Sequence, residues 1–567
     1  MKFNAALFVA ALFSHLTFAA QPAAAQSAAE QPAADLPAIL SDSKLRQTVY
    51  LPDFSYAGYA NGEAQPDTRG YQIIEVENFG VLANDGKDDT VALLTLLESL
   101  ADKTTPTVLQ FAAGRYILSD IIRIQRSHLV FRGVGSGLGG TQLYFPRPLI
   151  YAQEPAELKE LREYLVALNK IQTEKVNNIR LPFTQWSWSG GFLWTGVKGQ
   201  RVKQYLDSYN SEEKPLAVAV AGQQGLFDVT LADTQANALK VGEVIELRWF
   251  NPEGEKGSFL QELYPGDKLK VGSHHWMQPQ LALERQQVRI VALNGNTMTI
   301  KAPLLHNIRS QWQVGAYAWQ HLTAVGFEHF AIEFPFAEPI AHHVEQGFNG
   351  LYLTRLFDSW VQDITINNAD NGILTEEIAN VSIDKVHTTG SKLAHYSVQM
   401  GGVHNVLVRG LTVDNVVRHP LSFNTFSTRS VYSDVSILQA PVLDQHSGVN
   451  QQNLFDHIKL NITLSDPTQR TYPLFAGGGA GYWKPSHASY NSFWNIQVHF
   501  TNGHDSTQAI LLNGMSDGAN ARLMGISGDL PITVEYGPDA YMEGINHYYQ
   551  QAPSLYRYQL AKRLRSN

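Results

Sequence analysis

The sequence predicts an all-β chain wound as a parallel β-helix, and three observations predict it. The stretch from Phe348 to Leu438 repeats itself. Leu351-Tyr352-Leu353 followed by Trp360-Val361-Gln362-Asp363-Ile364 has counterparts in Ile373-Leu374-Thr375 with Asn380-Val381-Ser382-Ile383, in Val398-Gln399-Met400 with Asn405-Val406-Leu407-Val408, and in Phe423-Asn424-Thr425 with Ser430-Val431-Tyr432. Trp360, Asn380, Asn405 and Ser430 fall at equivalent places, about 20 to 25 residues apart, a period of repeat architectures. Within each repeat, apolar and polar residues alternate with period two and are rich in Val and Ile, the pattern of strands with one buried face. No helical pattern lies between the strands, which excludes a doubly wound sheet. A coil of short parallel strands remains, each turn burying its inner face against its neighbours.

Length and composition agree. A chain of 567 residues that is 44% hydrophobic suits one solenoid with an insertion, because a solenoid grows by adding turns. The formal net charge of −9 excludes the basic stripe of a nucleic-acid binder. It leaves room for an anionic substrate held by a local cluster.

In chain order, residues 1–26 read as a secretory signal: Lys2 at the start, an apolar core from Ala5 to Phe18, then small residues at Ala19-Ala20 and Ala23-Ala24-Ala25. No later apolar run is long enough for a membrane span. The chain has no cysteine, hence no disulfide framework. The expectation is a soluble, monomeric protein, periplasmic or extracellular. Residues 27–70 read as a leader and N-terminal extension, 71–149 as a cap and first turns, 150–320 as an insertion, 321–536 as the main coil and 537–567 as a C-terminal cap.

Asn84-Asp85-Gly86 is a turn, and Asp88 or Asp89 is placed to cap a helix over Thr90 to Leu100 by accepting its free amide hydrogens. That helix would close the open end of a coil. The whole segment from Asn78 to Thr90, with Val108-Leu109-Gln110-Phe111-Ala112-Ala113-Gly114-Arg115-Tyr116 after it, resembles the N-terminal signature of the pectate-lyase and polygalacturonase superfamily. The resemblance implies a right-handed parallel β-helix, a pectin-lyase-like solenoid with an N-terminal capping helix. It also implies carbohydrate chemistry, with calcium possible because some members hold it on acidic residues. A superfamily fold does not fix a reaction.

Residues 150 to 320 break the rhythm. Glu154 to Asn177 is charged and Leu-spaced, a surface helix or two. Gly225–Leu231, Val241–Arg248 and Gln287–Leu293 read as strands. The last runs through Asn294-Gly295-Asn296 into Thr297-Met298-Thr299-Ile300, a hairpin signal, so a small β-domain is inserted here. Trp186, Trp188, Trp194 and the His274-His275-Trp276 loop offer aromatic faces for sugar or for a core.

A step of 25 residues moves one turn along the axis. It sets Asp370 beside His395, with His419 one place out of register and Asp444 and His446 on the following turn. The expectation is a stripe at the corner before a strand, with His395, His419, His446, Asp444 and Arg418 as catalytic candidates. Asp370, Tyr396, Asn450, Trp483, Lys484 and His487 are substrate-binding candidates, the last four from the polar run at residues 445–453 and the glycine-rich run at residues 477–487. No residue is assigned to a metal, since the stripe has no dense carboxylate cluster of the kind calcium prefers.

Imidazoles beside a cation suit a polysaccharide lyase that removes a proton next to a uronate carboxylate. A cation or donor (Arg418 or Lys484) stabilises the charge, a histidine takes the proton, and Tyr396 supplies an acid. The alternative is a glycoside hydrolase, which needs two carboxyl groups across the bond; Asp370 with Asp444, or Glu376 and Glu377, are the candidates. A non-catalytic carbohydrate-binding protein is the third reading.

Overall fold

The computed structural model describes residues 36–566 apart from 174–177, 204–212, 233–237, 255–256, 266–279, 467, 503–507 and 516. The expected signal, and the loop carrying His274, His275 and Trp276, lie outside the described residues. Three parallel sheets wind around one apolar core, the right-handed β-helix expected from the repeat. No described helix is long and apolar enough to cross a membrane.

The site lies on one face, an eight-stranded sheet whose strands stack in chain order. They are β1 (Ile122–Ile124), β2 (Leu193–Thr195), β3 (Asn349–Thr354), β4 (Asn371–Glu376), β5 (Ala394–Met400), β6 (Val417–Asn424), β7 (Leu443–His446) and β8 (Phe475–Gly478). Every pairing recorded between them is parallel. A larger sheet of 17 strands forms the opposite walls. There the two long strands Leu356–Asn367 and Ile378–Thr389 lie side by side.

Each turn bends where one residue takes a left-handed backbone. Asp358, Asn380 and Asn405 do so at φ 43°, 52° and 54°. Asp and Asn tolerate that region better than other side-chain-bearing residues. Inside, like side chains stack from turn to turn. Tyr432, Phe455 and Phe493 stack with nearly parallel rings at 5.9 and 5.1 Å, close to the strand spacing of about 4.8 Å.

The register differs from the expected one in the large sheet. Trp360 pairs with Ser382 rather than standing beside Asn380. The turn there is shorter than its successors, and Asp358 occupies the bend that Asn380 and Asn405 continue.

The N-terminal helix Thr90–Leu100 buries Leu93, Leu96 and Leu100 against the first turns. Asp88 accepts a hydrogen bond from Thr90 N at 2.9 Å. Asp89, the residue before the helix, makes no cap. Its carboxylate instead receives Leu82 N at 2.8 Å and Ile117 N at 3.2 Å, tying the turn to the first rung.

Between residues 217 and 318 a six-stranded closed barrel is inserted. Its hairpin runs from Ala282–Asn294 to Thr297–Ile300, with Asn294 paired to Thr297 across the glycine turn. The barrel core shares Phe426, Val449 and Ala488 with the coil, so the two are packed together.

The helix Leu555–Ser566 follows the last strand of the coil. It packs with Ile39 and Phe54 over the outward side chains Leu407, Val431, Leu454 and Trp494. The reason lies in those residues: an apolar row on the outside of a coil needs a cover, and Leu555 and Tyr556 supply it.

Candidate functional site

β5, β6 and β7 carry the predicted histidines to one place, joined by a segment that enters from outside the repeat. Strand pairing sets Tyr396 beside His419, Ser422 beside Asp444 and Asn424 beside His446. His342 and His343 come from the loop before β3. Gln172 donates to His342 O at 2.5 Å, and Thr184 N donates to His343 O at 2.9 Å. The rings form a continuous row. Centroids lie 3.7 Å apart for His343 and His342, 4.7 Å for His342 and His395, 5.4 Å for His395 and His419, and 4.9 Å for His419 and His446.

The row borders a cavity of about 630 Å³. His342, His343, His419 and His446 form its polar side; Lys170, Asn424 and Thr425 add charge and hydrogen-bonding groups, and Trp188, Trp483 and Phe183 give aromatic walls. None of the described lining residues is Asp or Glu. A smaller cavity of about 210 Å³ shares His342 and is bordered by His395, Glu345, Asp370, Lys392 and Arg418.

The electrostatics follow from burial. Burial, reinforced by neighbouring imidazoles and Arg418, lowers His342 to about 2 and His343 to about 3. His395 is held well below its ordinary value by burial and by the imidazoles His419, His342, His343 and His446. These rings are neutral at pH 7, as expected where a positive charge is desolvated among other bases. Burial raises Glu345 to about 7, against a hydrogen bond from Ser187. Glu345 Oε1 stands 3.4 Å from His395 Nδ1, and His395 Nε2 stands 3.2 Å from His342 Nε2. A carboxyl group, a buried imidazole and a cavity-facing imidazole thus lie in series.

Asp444 is fully buried. Burial pushes its carboxyl up, but His446 and His419 outweigh that and hold it well below the usual carboxylate range. Its Oδ2 accepts from Ser422 Oγ at 2.8 Å and stands 3.1 Å from His419 Nδ1 and 3.2 Å from His446 Nδ1. Gly478 on β8 borders this trio, and a Cβ there would collide with the His446 ring. Two sets of three residues bring potential ligand atoms within 4.8 Å of one another: His342, His343 and His395, and His419, Asp444 and His446.

The other sequence candidates are placed as follows. Trp483 lines the cavity. Arg418 is exposed and borders the smaller one. Tyr396 is 1% exposed and stacks against His395 and His419; burial raises its hydroxyl well above 10, and it is absent from the cavity wall. Asp370 accepts from Gly347 N and Phe348 N and pairs with Lys392 at 2.6 Å, holding the loop before β3.

Asn450, Lys484 and His487 lie outside the lining of the larger cavity. Asn450 donates to Ser486 O, Lys484 donates to Gly477 O and faces Asp517, and His487 is enclosed by Ser486 and Tyr536. Polar runs in a solenoid fold into buried corners, and these three residues satisfy such corners. Of the tryptophans, Trp186 and Trp194 are core, and Trp188 faces the cavity. Sequence reasoning missed His342, His343, Glu345 and Lys170. The pattern His342-His343-Val344-Glu345 was the available signal, but it lies outside the repeat that ordered the rest.

No family model matches the chain, and no curated protein matches it. Solved structures similar to it include three β-helix-spanning matches of low identity. The tailspike gp61 of Pseudomonas phage phi297 is 11% identical over 83% of this chain and 75% of that one, with a TM-score of 0.42. The tailspike gp49 of Pseudomonas phage LKA1 is 12% identical over 80% and 72%, TM-score 0.38. The DFA-IIIase of Arthrobacter chlorophenolicus A6, in complex with DFA-III, is 10% identical over 86% and 88%, TM-score 0.36. At these identities and TM-scores, none of them bears on what this chain binds.

Proposed function

We propose that the chain is a secreted enzyme that cleaves a uronate-containing polysaccharide by β-elimination in the histidine-lined cavity. One observation carries the reading: the described wall offers imidazoles, a lysine and aromatic rings, and no carboxyl group. A hydrolase needs two carboxyl groups flanking the bond. The expected carboxyl groups are engaged elsewhere: Asp370 pairs with Lys392, Asp444 is buried against His419 and His446, Glu376 pairs with Lys203 and Glu377 with Arg355.

In this reading a sugar ring rests on Trp188 and Trp483, and its carboxylate faces Lys170, Asn424 and Thr425. Neutral His342 takes the proton from C5. The electron pair delocalises into the carboxylate, where Lys170 stabilises the added charge. The C4–O4 bond then breaks, leaving a C4=C5 double bond. The imidazolium of His342, disfavoured by its surroundings, returns its proton to the departing oxygen. His395 and Glu345 behind it fix the ring's orientation.

The test is incubation of the purified protein with pectic, alginate-type and neutral polysaccharides, following ultraviolet absorbance and reducing ends. Absorbing, unsaturated ends with a uronate polymer support the reading. Reducing ends without absorbance make the protein a hydrolase, and binding without either makes it a carbohydrate-binding protein.

A further inference from the structure

We infer that His419, Asp444 and His446 form a binding site for one divalent transition-metal ion of the zinc class, with its open position toward the cavity. The assignment does not depend on the substrate proposed above.

The donor geometry points to it. Two imidazole Nδ1 atoms converge on one carboxylate at 3.1 and 3.2 Å, yet neither makes a hydrogen bond to it. Both nitrogens of His419, Nδ1 of His446 and Oδ1 of Asp444 are buried polar atoms without a hydrogen-bond partner. Buried polar groups are nearly always paired, so the two Nδ1 atoms that face the Asp444 carboxylate without a hydrogen-bond partner call for a shared one. Ligands bound to a common ion at about 2.0–2.2 Å stand about 3 to 3.5 Å apart across it, the spacing of each imidazole nitrogen from Asp444 Oδ2, and all three donor atoms lie within 4.8 Å of one another.

The surroundings fit a metal centre. Ser422 Oγ holds the carboxylate through Oδ2 at 2.8 Å, the outer hydrogen bond that orients a ligating carboxylate. Gly478 leaves the room that the His446 ring occupies. His419 and His446 line the cavity, so an ion between them is reachable by substrate. Three protein ligands with an open position are the pattern of catalytic rather than structural sites. Two imidazoles with one carboxylate favour zinc, iron or cobalt over calcium, which takes six to eight oxygens. The trio of His342, His343 and His395 is the weaker candidate. It has no anionic member, and His342 and His395 already face each other at hydrogen-bonding distance.

The experiment is metal loading of the full chain. Chelator-treated protein is incubated with zinc or cobalt, freed of excess ion by gel filtration, and assayed for metal by mass spectrometry. Wild type is expected to retain about one equivalent, and the cobalt form to show visible absorption of a low-coordinate centre. His419→Ala and His446→Ala are expected to lose the ion. Ser422→Ala is expected to weaken binding about 10-fold. His342→Ala is expected to keep one equivalent. Circular dichroism confirms that each variant is folded. Folded wild type that retains no ion, or folded His419→Ala and His446→Ala proteins that retain it as wild type does, overturns the assignment. So does loss of the ion from His342→Ala alone.

Discussion

At the scale of single residues, the site works because burial and crowding set what each imidazole can do. His342 faces the cavity, is kept neutral by burial and by the neighbouring imidazoles and Arg418, and is backed by His395 and Glu345. His342→Ala is therefore expected to lower kcat/KM on a uronate polymer by about 10²- to 10⁴-fold, the usual worth of a general base, with the thermal midpoint little changed. Steady-state kinetics and a melting curve check both halves. Trp188→Ala, by contrast, removes an aromatic wall of the cavity on which the proposed sugar rests and is expected to raise KM more than it lowers kcat. Gly478→Ala tests the framework: the added methyl meets the His446 ring, so activity is expected to fall although glycine has no chemistry of its own.

At the scale of elements, the C-terminal helix is tied to the coil by one buried carboxylate. Asp456 accepts from Leu555 N at 2.8 Å, Ser554 Oγ at 2.5 Å and Ser433 Oγ at 2.9 Å. Burial raises its carboxyl to about 6, opposed by those hydrogen bonds. The folded state thus holds a proton that the unfolded chain releases near pH 4. Stability from this group is full below about pH 4 and declines as pH rises to about 6, a change of about 3 kcal/mol. Melting curves of Asp456→Asn are expected to lack that slope, while wild type shows it superimposed on the rest of its titration. Removal of residues 555–566 uncovers the row from Leu407 to Trp494. It is expected to cost several kcal/mol, since each large apolar side chain is worth about 1.5 to 3 kcal/mol when buried, and light scattering should detect association of the exposed flank.

At the scale of the whole molecule, the coil was legible because its physics is periodic. Ile383, Val408 and Tyr432 recur since every turn must bury the same inner position. The step from Asp370 to His395 could be read the same way, and strand pairing places Asn371 beside Tyr396. Where turn length changes, the reading slips, as at Trp360 and Ser382. Segments outside the period were illegible. His342, His343 and Glu345 reach the site from a loop that matches no neighbour, and the barrel's position against Phe426 and Val449 rests on contacts distant in sequence. Asn450, Lys484 and His487 lie outside the lining of the larger cavity, where polarity in a corner serves hydrogen bonds of the bend.

The central claim is that the polymer is broken by elimination, and the fate of water tests it most directly. Digestion in heavy-oxygen water, followed by mass spectrometry of the oligosaccharides, separates the reactions without reference to any single residue. The account predicts new non-reducing ends lighter by one water than hydrolytic ends, with no heavy oxygen gained at the cleaved bond. Fragments that carry one heavy oxygen per cleavage and no double bond would contradict it.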